Sequence, residues 1–265
     1  MNRRELLKKS ASLGFMAAAP ALALGEGFAG RSGAAGTGGT DQSQSAPPAP
    51  GPLTLPKNKT IPVAYPLSAG AVEVDFTGPW GVFGSVMLPG KEMVMPFHQY
   101  IVAENMAPLR TDSGLTVVPD YTFETAPQPK IIVIPAQQNA PGTMLQWIRK
   151  ASAGTDVTMS VCVGAFTLAK TGLLDGKSAT THHSAYKRFA NQFPKTRLVQ
   201  GVRFVDEGNI ATAGGLTCGS DLAMHIVERY FGRKLAEDTA YYLEYQSAGW
   251  KDPGSNMVYA RPAKG

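Results

Sequence analysis

The feature that most constrains the fold is the segment Lys130–Pro135, in which four aliphatic residues follow one another without alternation. A strand covered on both faces has this pattern, whereas a strand with one solvated face alternates apolar and polar residues. Five other candidate strands and five candidate helices alternate along the chain from Thr60 onwards. This order predicts parallel βαβ units in a layered α/β domain.

The predicted elements are short and separated by turn residues. The strands are Pro62–Pro66, His98–Ala103, Lys130–Pro135, Asp156–Cys162, Arg203–Asp206 and Asn209–Thr212. The helices are Val72–Val86, Pro141–Ala151, Ala165–Thr171, Ala185–Gln192 and Ser220–Phe231. The last two strands meet at Asp206-Glu207-Gly208-Asn209, which predicts a tight hairpin with Gly208 at positive φ.

The N-terminus has the pattern of an export signal. Arg3-Arg4 is followed by Leu6-Leu7 and by an apolar stretch from Ala11 to Gly25, which is the order of a twin-arginine signal. This stretch of about 15 residues is shorter than the roughly 20 that a spanning helix needs. We therefore expect an exported, periplasmic or otherwise extracytoplasmic protein without stable membrane insertion after cleavage.

The composition sets the domain boundaries. Residues 1–25 are predicted as the signal peptide, and residues 26–60, rich in Gly, Pro, Ser, Ala and Gln, as a disordered linker. Residues 1–60 carry seven basic and three acidic side chains, so only +1 of the net charge of +5 belongs to the rest. A nearly neutral domain attracts a phosphate backbone weakly, which argues against a nucleic acid partner.

Cys162 stands where a predicted strand runs into Val163-Gly164 and then into a predicted helix. This order is typical of a nucleophile elbow, a sharp turn that raises the side chain above the sheet. A helix N-terminus favours the thiolate, and backbone N–H groups at the turn stabilise an oxyanion. The local pattern fits equally well a small buried residue that ends a strand.

Several ordered motifs resemble the ThiJ/PfpI superfamily. They are Asp75–Phe83, Val161–Phe166, Gly172–Lys177, Ala179–His182, Asp206–Gly215 and Leu243-Glu244-Tyr245. The resemblance covers about Ile61 to Tyr245 and is greatest to the isonitrile hydratase branch, because of Asp75-Phe76-Thr77-Gly78-Pro79. It implies a class I glutamine amidotransferase-like fold: a three-layer α/β sandwich with a mostly parallel, flavodoxin-like central sheet. The domain would span residues 61–245, with 246–265 as a C-terminal tail.

The resemblance also implies roles for single residues. Cys162 would be the nucleophile, Asp75 the carboxyl next to it, and His182 a group that orients water or substrate. Burial beside a thiolate is expected to keep Asp75 protonated. The substrate and oxyanion pocket would be formed by Val163, Gly164, Gly78 and Gly215.

The remaining polar candidates are assigned structural roles. Glu73 is predicted to be a solvated helix charge, and His98 and His225 to be structural. His183 stands where close relatives often have tryptophan. The four histidines and two cysteines lack metal-ligand spacing, and the glycine-rich turn Gly214–Ser220 lacks the lysine of a P-loop. We therefore predict no metal and no other cofactor.

The resemblance implies a cysteine-dependent hydratase or hydrolase acting on a small carbon–nitrogen substrate, with conversion of an isonitrile to an N-substituted formamide as the leading activity. The hydratase branch has threonine directly after the cysteine, whereas Val163 has no hydroxyl. An amidase or glyoxalase-like hydrolase and a non-catalytic ligand-binding or redox-stress protein therefore stay open. The resemblance also implies a homodimer. It places Cys218 near the elbow, which suggests a Cys162–Cys218 disulfide that shuts off the enzyme.

Overall fold

The computed structural model describes residues 50–56, 60–89 and 94–260. The predicted signal peptide and most of the predicted linker lie outside the described residues. None of the helices in these three ranges has the length and apolar character that a bilayer crossing requires.

The strands are β1 Ile61–Pro66, β2 Phe97–Ala103, β3 Leu109–Arg110, β4 Thr116–Val117, β5 Tyr121–Thr122, β6 Ile131–Ile134, β7 Val157–Ser160, β8 Ser178–Ala179, β9 Arg197–Leu198, β10 Phe204–Asp206 and β11 Ile210–Ala213. A seven-stranded sheet forms the centre, in the order β10-β11-β7-β6-β1-β2-β5. Its pairs are parallel except for β10, which lies antiparallel to β11 at one edge. Two short pairs, β3-β4 and β8-β9, lie outside this sheet.

Helices cover both faces of the sheet. They are α1 Glu73–Phe83, α2 Gly142–Ser152, α3 Gly164–Lys170, α4 Tyr186–Gln192, α5 Cys218–Phe231 and α6 Arg233–Tyr242. One core lies between the sheet and α1, α5 and α6, and a second lies between the sheet and α2, α3 and α4. The predicted three-layer, mostly parallel, flavodoxin-like α/β fold is therefore confirmed.

The four aliphatic residues of β6 explain this layering. Ile131 and Val133 enter one core, Ile132 and Ile134 enter the other, and all four are fully buried. Successive side chains of a strand point to opposite faces, so each layer of helices receives two of them. Burial of each such side chain contributes about 1.5–3 kcal/mol, which favours the central position of this strand.

Several boundaries differ from those predicted. The strand predicted over Asp156–Cys162 ends at Ser160, because the chain turns before the cysteine. Helix α6 was not predicted; it begins directly after Gly232, whose φ of 82° ends α5 and redirects the chain. The predicted hairpin is confirmed, with Phe204–Asp206 paired to Ala211–Ala213 and Gly208 at a φ of 94°.

The segments that flank the predicted domain contact it. On the N-terminal side, the Leu53 N–H donates to the Arg229 carbonyl at 2.8 Å. On the C-terminal side, Trp250 is 2% exposed and residues Pro253–Ala260 form a 3-10 helix. The packed structure therefore extends beyond Ile61–Tyr245 at both ends.

Candidate active site

The fold brings the end of β6 close to the start of α1. Strand β1 has β2 on one side and β6 on the other, and ligands of open α/β sheets bind at such a reversal of strand order. The Val72 N–H donates to the Ala136 carbonyl at 2.8 Å, and the Ala136 N–H donates to Asp75 Oδ2 at 3.0 Å. These two bonds fix Asp75 at the carboxyl ends of the central strands.

Cys162 occupies a left-handed turn between β7 and α3. Its φ is 58°, a conformation that costs a residue with a side chain roughly 1–2 kcal/mol. The Cys162 N–H donates to the Gly214 carbonyl at 2.7 Å, and the Cys162 carbonyl accepts from the Thr181 hydroxyl at 2.9 Å. Contacts from two distant segments thus hold the strained turn, which is the geometry of a nucleophile elbow.

Gly164 allows the elbow to lie directly against β6. A Cβ at this position would be 2.3 Å from the Ile134 carbonyl oxygen and 2.8 Å from Pro135 backbone atoms. These neighbours are backbone atoms of a central strand, so they cannot turn aside as a flexible side chain can. Glycine is required here because of this close approach, although Gly164 itself has no positive φ.

Replacement of Gly164 by alanine is expected to lower the free energy of unfolding by about 2–3 kcal/mol, because the added methyl group overpacks the elbow against β6. Urea unfolding followed by circular dichroism measures the effect. The matched control is Gly81→Ala on α1, where an added Cβ has no neighbour within 4 Å. That change should stabilise the protein by about 0.5–1 kcal/mol. Equal unfolding midpoints for Gly164→Ala and wild type would contradict the packing argument.

Two backbone N–H groups, those of Val163 and Leu216, hydrogen-bond to the Cys162 sulfur. Leu216 also has a positive φ, 48°, within the turn between β11 and α5. These donors lower the pKa of the thiol, but burial raises it more strongly, and the nearby Asp75 charge raises it further. The resulting pKa is about 11. Burial and the Asp75 charge therefore outweigh the helix N-terminus, which was expected to make the thiolate the favoured form.

Asp75 is fully buried on α1. Burial raises the pKa of its carboxyl to about 7, although the Ala136 N–H opposes the change. The second oxygen, Oδ1, is buried and has no hydrogen-bond partner among the described residues. The direction of this shift agrees with the expectation that burial favours the protonated carboxyl. Since the Asp75 charge raises the pKa of Cys162, the site favours a single negative charge shared by the two groups.

His182 lies on the other side of the glycine-rich turn. Its Nδ1 accepts from the Ser184 N–H at 3.3 Å and lies 2.8 Å from the Ser184 hydroxyl. The imidazole is expected to be neutral with its proton on Nε2, since burial, aided by His183, lowers its pKa. A Cβ on Gly215 would be 2.3 Å from His182 Cδ2, so the glycine lets the imidazole approach the turn.

A cavity of about 270 Å³ opens beside this imidazole. Its wall consists of polar and aromatic side chains together with the turn that hydrogen-bonds to the thiol: Thr181, His182, His183, Tyr186, Arg203, Gly215, Leu216, Thr217, Cys218, Asn256 and Tyr259. Cys162 lies behind this wall and is 8% exposed. The structure thus brings Cys162, Asp75 and His182 around the turn Gly214–Cys218.

The other predicted pocket residues contribute in different ways. Val163 supplies its N–H group, while its side chain packs against the larger core. Gly78 lies against Ser220, where an added Cβ would meet Oγ at 2.6 Å, so it serves the packing of α1 on α5. Cys162 and Cys218 are both free thiols, and a disulfide between them stays a prediction.

The residues assigned structural roles differ in their surroundings. Glu73 is a helix charge with local partners: its Oε1 accepts from the Ser113 N–H at 2.9 Å and from the Thr111 hydroxyl. The Thr111 bond lowers the pKa of Glu73 to about 2. His225 Nε2 lies 3.0 Å from buried Asp206 Oδ2, whereas His98 is exposed on β2. No three His, Cys, Asp or Glu side chains come together as a metal site within the described ranges.

Sequence reasoning missed several contributors to the site, among them Thr181, Leu216, Asn256 and Tyr259. Leucine at positive φ is uncommon, so no local signal marks Leu216 as a donor. Thr181 belonged to a recognised motif, but its bond to the Cys162 carbonyl depends on how β8 lies beside the elbow. Asn256 and Tyr259 lie beyond the residues that carried the resemblance.

A cysteine raised on a left-handed turn at the carboxyl edge of a parallel sheet, beside a buried carboxyl, defines an α/β protein with a cysteine-centred site. The DJ-1/PfpI family model matches residues 62–229, and the chain belongs to this family.

Similar proteins differ in what they do. An isonitrile hydratase from Pseudomonas putida is 30% identical over 203 residues, which are 74% of this chain and 83% of that protein. The transcriptional regulator CdhR from Pseudomonas aeruginosa is 26% identical over 145 residues, which are 53% of this chain and 43% of the regulator. The crystal structure of a ThiJ/PfpI family protein from Pseudomonas syringae is 27% identical, with a TM-score of 0.63, and the match covers 71% of this chain and 76% of that one.

Proposed function

We propose that the protein hydrates a small isonitrile to the N-substituted formamide, with Cys162 as the nucleophile. The observation that carries the proposal is the pairing of a cysteine on a strained elbow with the buried carboxyl of Asp75, whose Oδ1 is free of partners among the described residues. The similarity to isonitrile hydratase, which extends over 83% of that enzyme, supports the choice of substrate class.

The first step forms a thioimidate. The Cys162 thiolate attacks the terminal carbon of R–N≡C, and the Asp75 carboxyl transfers its proton to the same carbon, which gives R–N=CH–S–Cys162. The Val163 and Leu216 N–H groups, which hydrogen-bond to the sulfur, stabilise the thiolate before attack and again when it leaves. Because these are backbone groups, this contribution does not need a threonine hydroxyl at position 163.

The second step uses water. The Asp75 carboxylate, now without its proton, accepts one proton from water while the oxygen adds to the thioimidate carbon. The remaining proton of that water moves from the added hydroxyl to the nitrogen as the tetrahedral intermediate collapses. The C–S bond breaks, R–NH–CHO is released, and the Cys162 thiolate and the protonated Asp75 carboxyl are restored. Neutral His182, whose Nε2 lies on the side of Gly215, is a suitable donor for orienting the water or the nitrogen.

The test is direct. The purified protein, incubated with methyl isonitrile, is expected to produce N-methylformamide, which proton NMR detects alongside the loss of the isonitrile signal. A heat-denatured sample measures the uncatalysed hydration. Production no faster than in that sample would reject the proposal for this substrate class.

A non-catalytic ligand-binding role is the second candidate. The similarity to CdhR and the raised pKa of the Cys162 thiol favour it. In that case an isonitrile or another small carbon–nitrogen compound would raise the melting temperature without being converted, since a ligand of the native state stabilises it by mass action.

We also propose, from Arg3-Arg4 and the apolar stretch that follows, that the chain is exported by the twin-arginine route. A homodimer is proposed from the family resemblance. Cell fractionation and analytical ultracentrifugation, respectively, test these two proposals.

A further inference from the structure

Residues beyond the matched family region close the cavity next to His182. The 3-10 helix Pro253–Ala260, here called the C-terminal cap, contributes Asn256 and Tyr259 to the cavity wall. The family model ends at residue 229, so the cap is an addition to the matched region. The cap therefore forms part of the cavity wall but no part of the elbow at Cys162.

The cap is anchored at its start and packs on the domain again at its end. Trp250, 2% exposed, lies just before it, with the charged groups of Arg233 and Lys251 about 5 Å from its indole. The Arg203 N–H donates to the Pro253 carbonyl at 2.6 Å. Further along, Val258 is 74% exposed and Tyr259 is 44% exposed. The far end of the cap also packs closely on the domain, since a Cβ on Gly201 would be 2.7 Å from Ala260 Cβ and 3.1 Å from Met257 Cα.

Two side chains of the cap contact the rest of the cavity wall. The phenol of Tyr259 stacks on the His183 imidazole at 4.6 Å between centroids, and His183 lies 4.3 Å from His182. Asn256 Nδ2 lies 3.8 Å from Cys218 Sγ, and Asn256 Oδ1 accepts from Arg203 Nη1 at 3.5 Å. A row of three aromatic side chains thus leads from the cap to the imidazole of the site.

The wall has little free charge. The Arg203 guanidinium is paired with the fully buried carboxylate of Asp221, which also accepts from the Tyr245 hydroxyl at 2.9 Å. The pKa of His182 is lowered, so its imidazole stays neutral near pH 7. The surroundings suit an uncharged group that stacks on aromatic side chains. A volume of about 270 Å³ lies just below the roughly 300–1,000 Å³ of ordinary ligand pockets.

We propose that Asn256 and Tyr259 determine specificity: the cavity under the C-terminal cap receives the uncharged N-substituent of the substrate, and Tyr259 limits its size. This inference rests on the proposed hydration reaction for its substrate class. The existence of the size limit does not rest on it, because thiol reagents that react with Cys218, which lines the cavity, meet the same side chains.

The first test compares methyl isonitrile with cyclohexyl isonitrile. Tyr259→Ala is expected to raise kcat/KM for the cyclohexyl compound about tenfold relative to the methyl compound, because the larger substituent no longer meets the phenol. Tyr259→Phe keeps the stacking and should retain the wild-type ratio. Val258→Ala removes a neighbouring side chain of the same 3-10 helix that does not line the cavity, and it should also leave the ratio unchanged. A wild-type ratio in Tyr259→Ala would overturn the proposal.

The second test needs no turnover. Iodoacetamide and the bulkier N-phenylmaleimide are reacted with the full-length protein, and peptide mass spectrometry measures labelling at Cys162 and Cys218 separately. Tyr259→Ala should accelerate labelling by the bulky reagent several-fold more than labelling by the small one, whereas Val258→Ala should not. If wild type converts no isonitrile, the hydration proposal fails and this comparison still decides the size limit. An unchanged ratio of the two labelling rates refutes it.

Discussion

Replacement of Cys162 by alanine is expected to abolish formamide production from methyl isonitrile, with a rate at least about a thousandfold below wild type. The reason is that Cys162 is the thiol on the strained elbow, where the Asp75 charge acts on it. Cys162 is held by the Gly214 carbonyl and the Thr181 hydroxyl through backbone bonds, so the alanine variant keeps both contacts. The fold should therefore survive, which thermal unfolding of both proteins checks.

The second cysteine provides the comparison for this experiment. Cys218 lines the cavity, but it lies on α5 at the end of the glycine-rich turn rather than on the elbow. Cys218→Ala is therefore expected to alter KM more than kcat. Intact-protein mass spectrometry of wild type and Cys218→Ala during turnover should show the same covalent adduct, one substrate mass above the protein. Full activity of Cys162→Ala, or an adduct confined to Cys218, would refute the assigned nucleophile.

Replacement of Asp75 by asparagine is expected to have two opposite effects at pH 8. Hydration should slow about a hundredfold or more, because the amide can neither supply nor accept the proton. Alkylation of Cys162 by iodoacetamide should become faster, because the carboxylate charge that raises the thiol pKa is gone. The amide oxygen can still accept from the Ala136 N–H, so the local structure is retained. A damaged site would slow hydration without this selective gain in thiol reactivity.

The expected pH dependence of kcat/KM follows from the coupled titration of Asp75 and Cys162. Asp75 and Cys162 have pKa values of about 7 and about 11, and the reactive form has one proton between them. Wild-type kcat/KM is therefore expected to rise as the pH increases to about 7 and then to stay level up to about pH 10. In Asp75→Asn the step near pH 7 should disappear, and the remaining activity should follow thiol ionisation alone. If wild-type kcat/KM is constant from pH 5 to 9, Asp75 and Cys162 do not act as a coupled pair.

The pH dependence of thermal stability provides an independent control for Asp75→Asn. The folded-state pKa of Asp75, about 7, lies above its ordinary value of 3.8, so the folded protein binds this proton more tightly than the unfolded chain. The free energy of unfolding of the wild type therefore falls as the pH rises from about 4 to 7. This decrease, which comes from the Asp75 carboxyl, is at most about 4 kcal/mol. Asp75→Asn should melt at a higher temperature than wild type at pH 8, and near the wild-type temperature at pH 4.

The predicted helices and strands agree best with the observed ones where a short stretch of sequence is enough to specify the element. The unbroken aliphatic run of β6 predicted a strand covered on both faces, and Gly208 marked the hairpin. Helix α6 was missed because its apolar side is narrow: Ala236 and Ala240 are buried, but Tyr241 and Tyr242 next to them are exposed. Small residues that pack against α5 give a weak periodic signal.

The pKa of the Cys162 thiol could not be predicted from the residues next to it in the sequence. A strand, a cysteine and a helix N-terminus together favour a thiolate, and the Val163 N–H does act in that direction. Burial, and a carboxyl from α1 that is 87 residues away in the chain, outweigh it. Burial and long-range charge are properties of the assembled site, and neither can be obtained from the residues adjacent to the cysteine.

The sequence by itself determined the layered α/β fold, the elbow at Cys162, the carboxyl at Asp75 and its raised pKa, because these follow from short-range patterns and from motifs in a fixed order. Only the tertiary structure decided which groups surround the site: the Leu216 N–H from a turn with no local marker, the Thr181 hydroxyl that bonds to the Cys162 carbonyl, and a cap from residues beyond the matched region. These contacts join residues far apart in the chain, so their presence depends on how the packed layers bring the loops together.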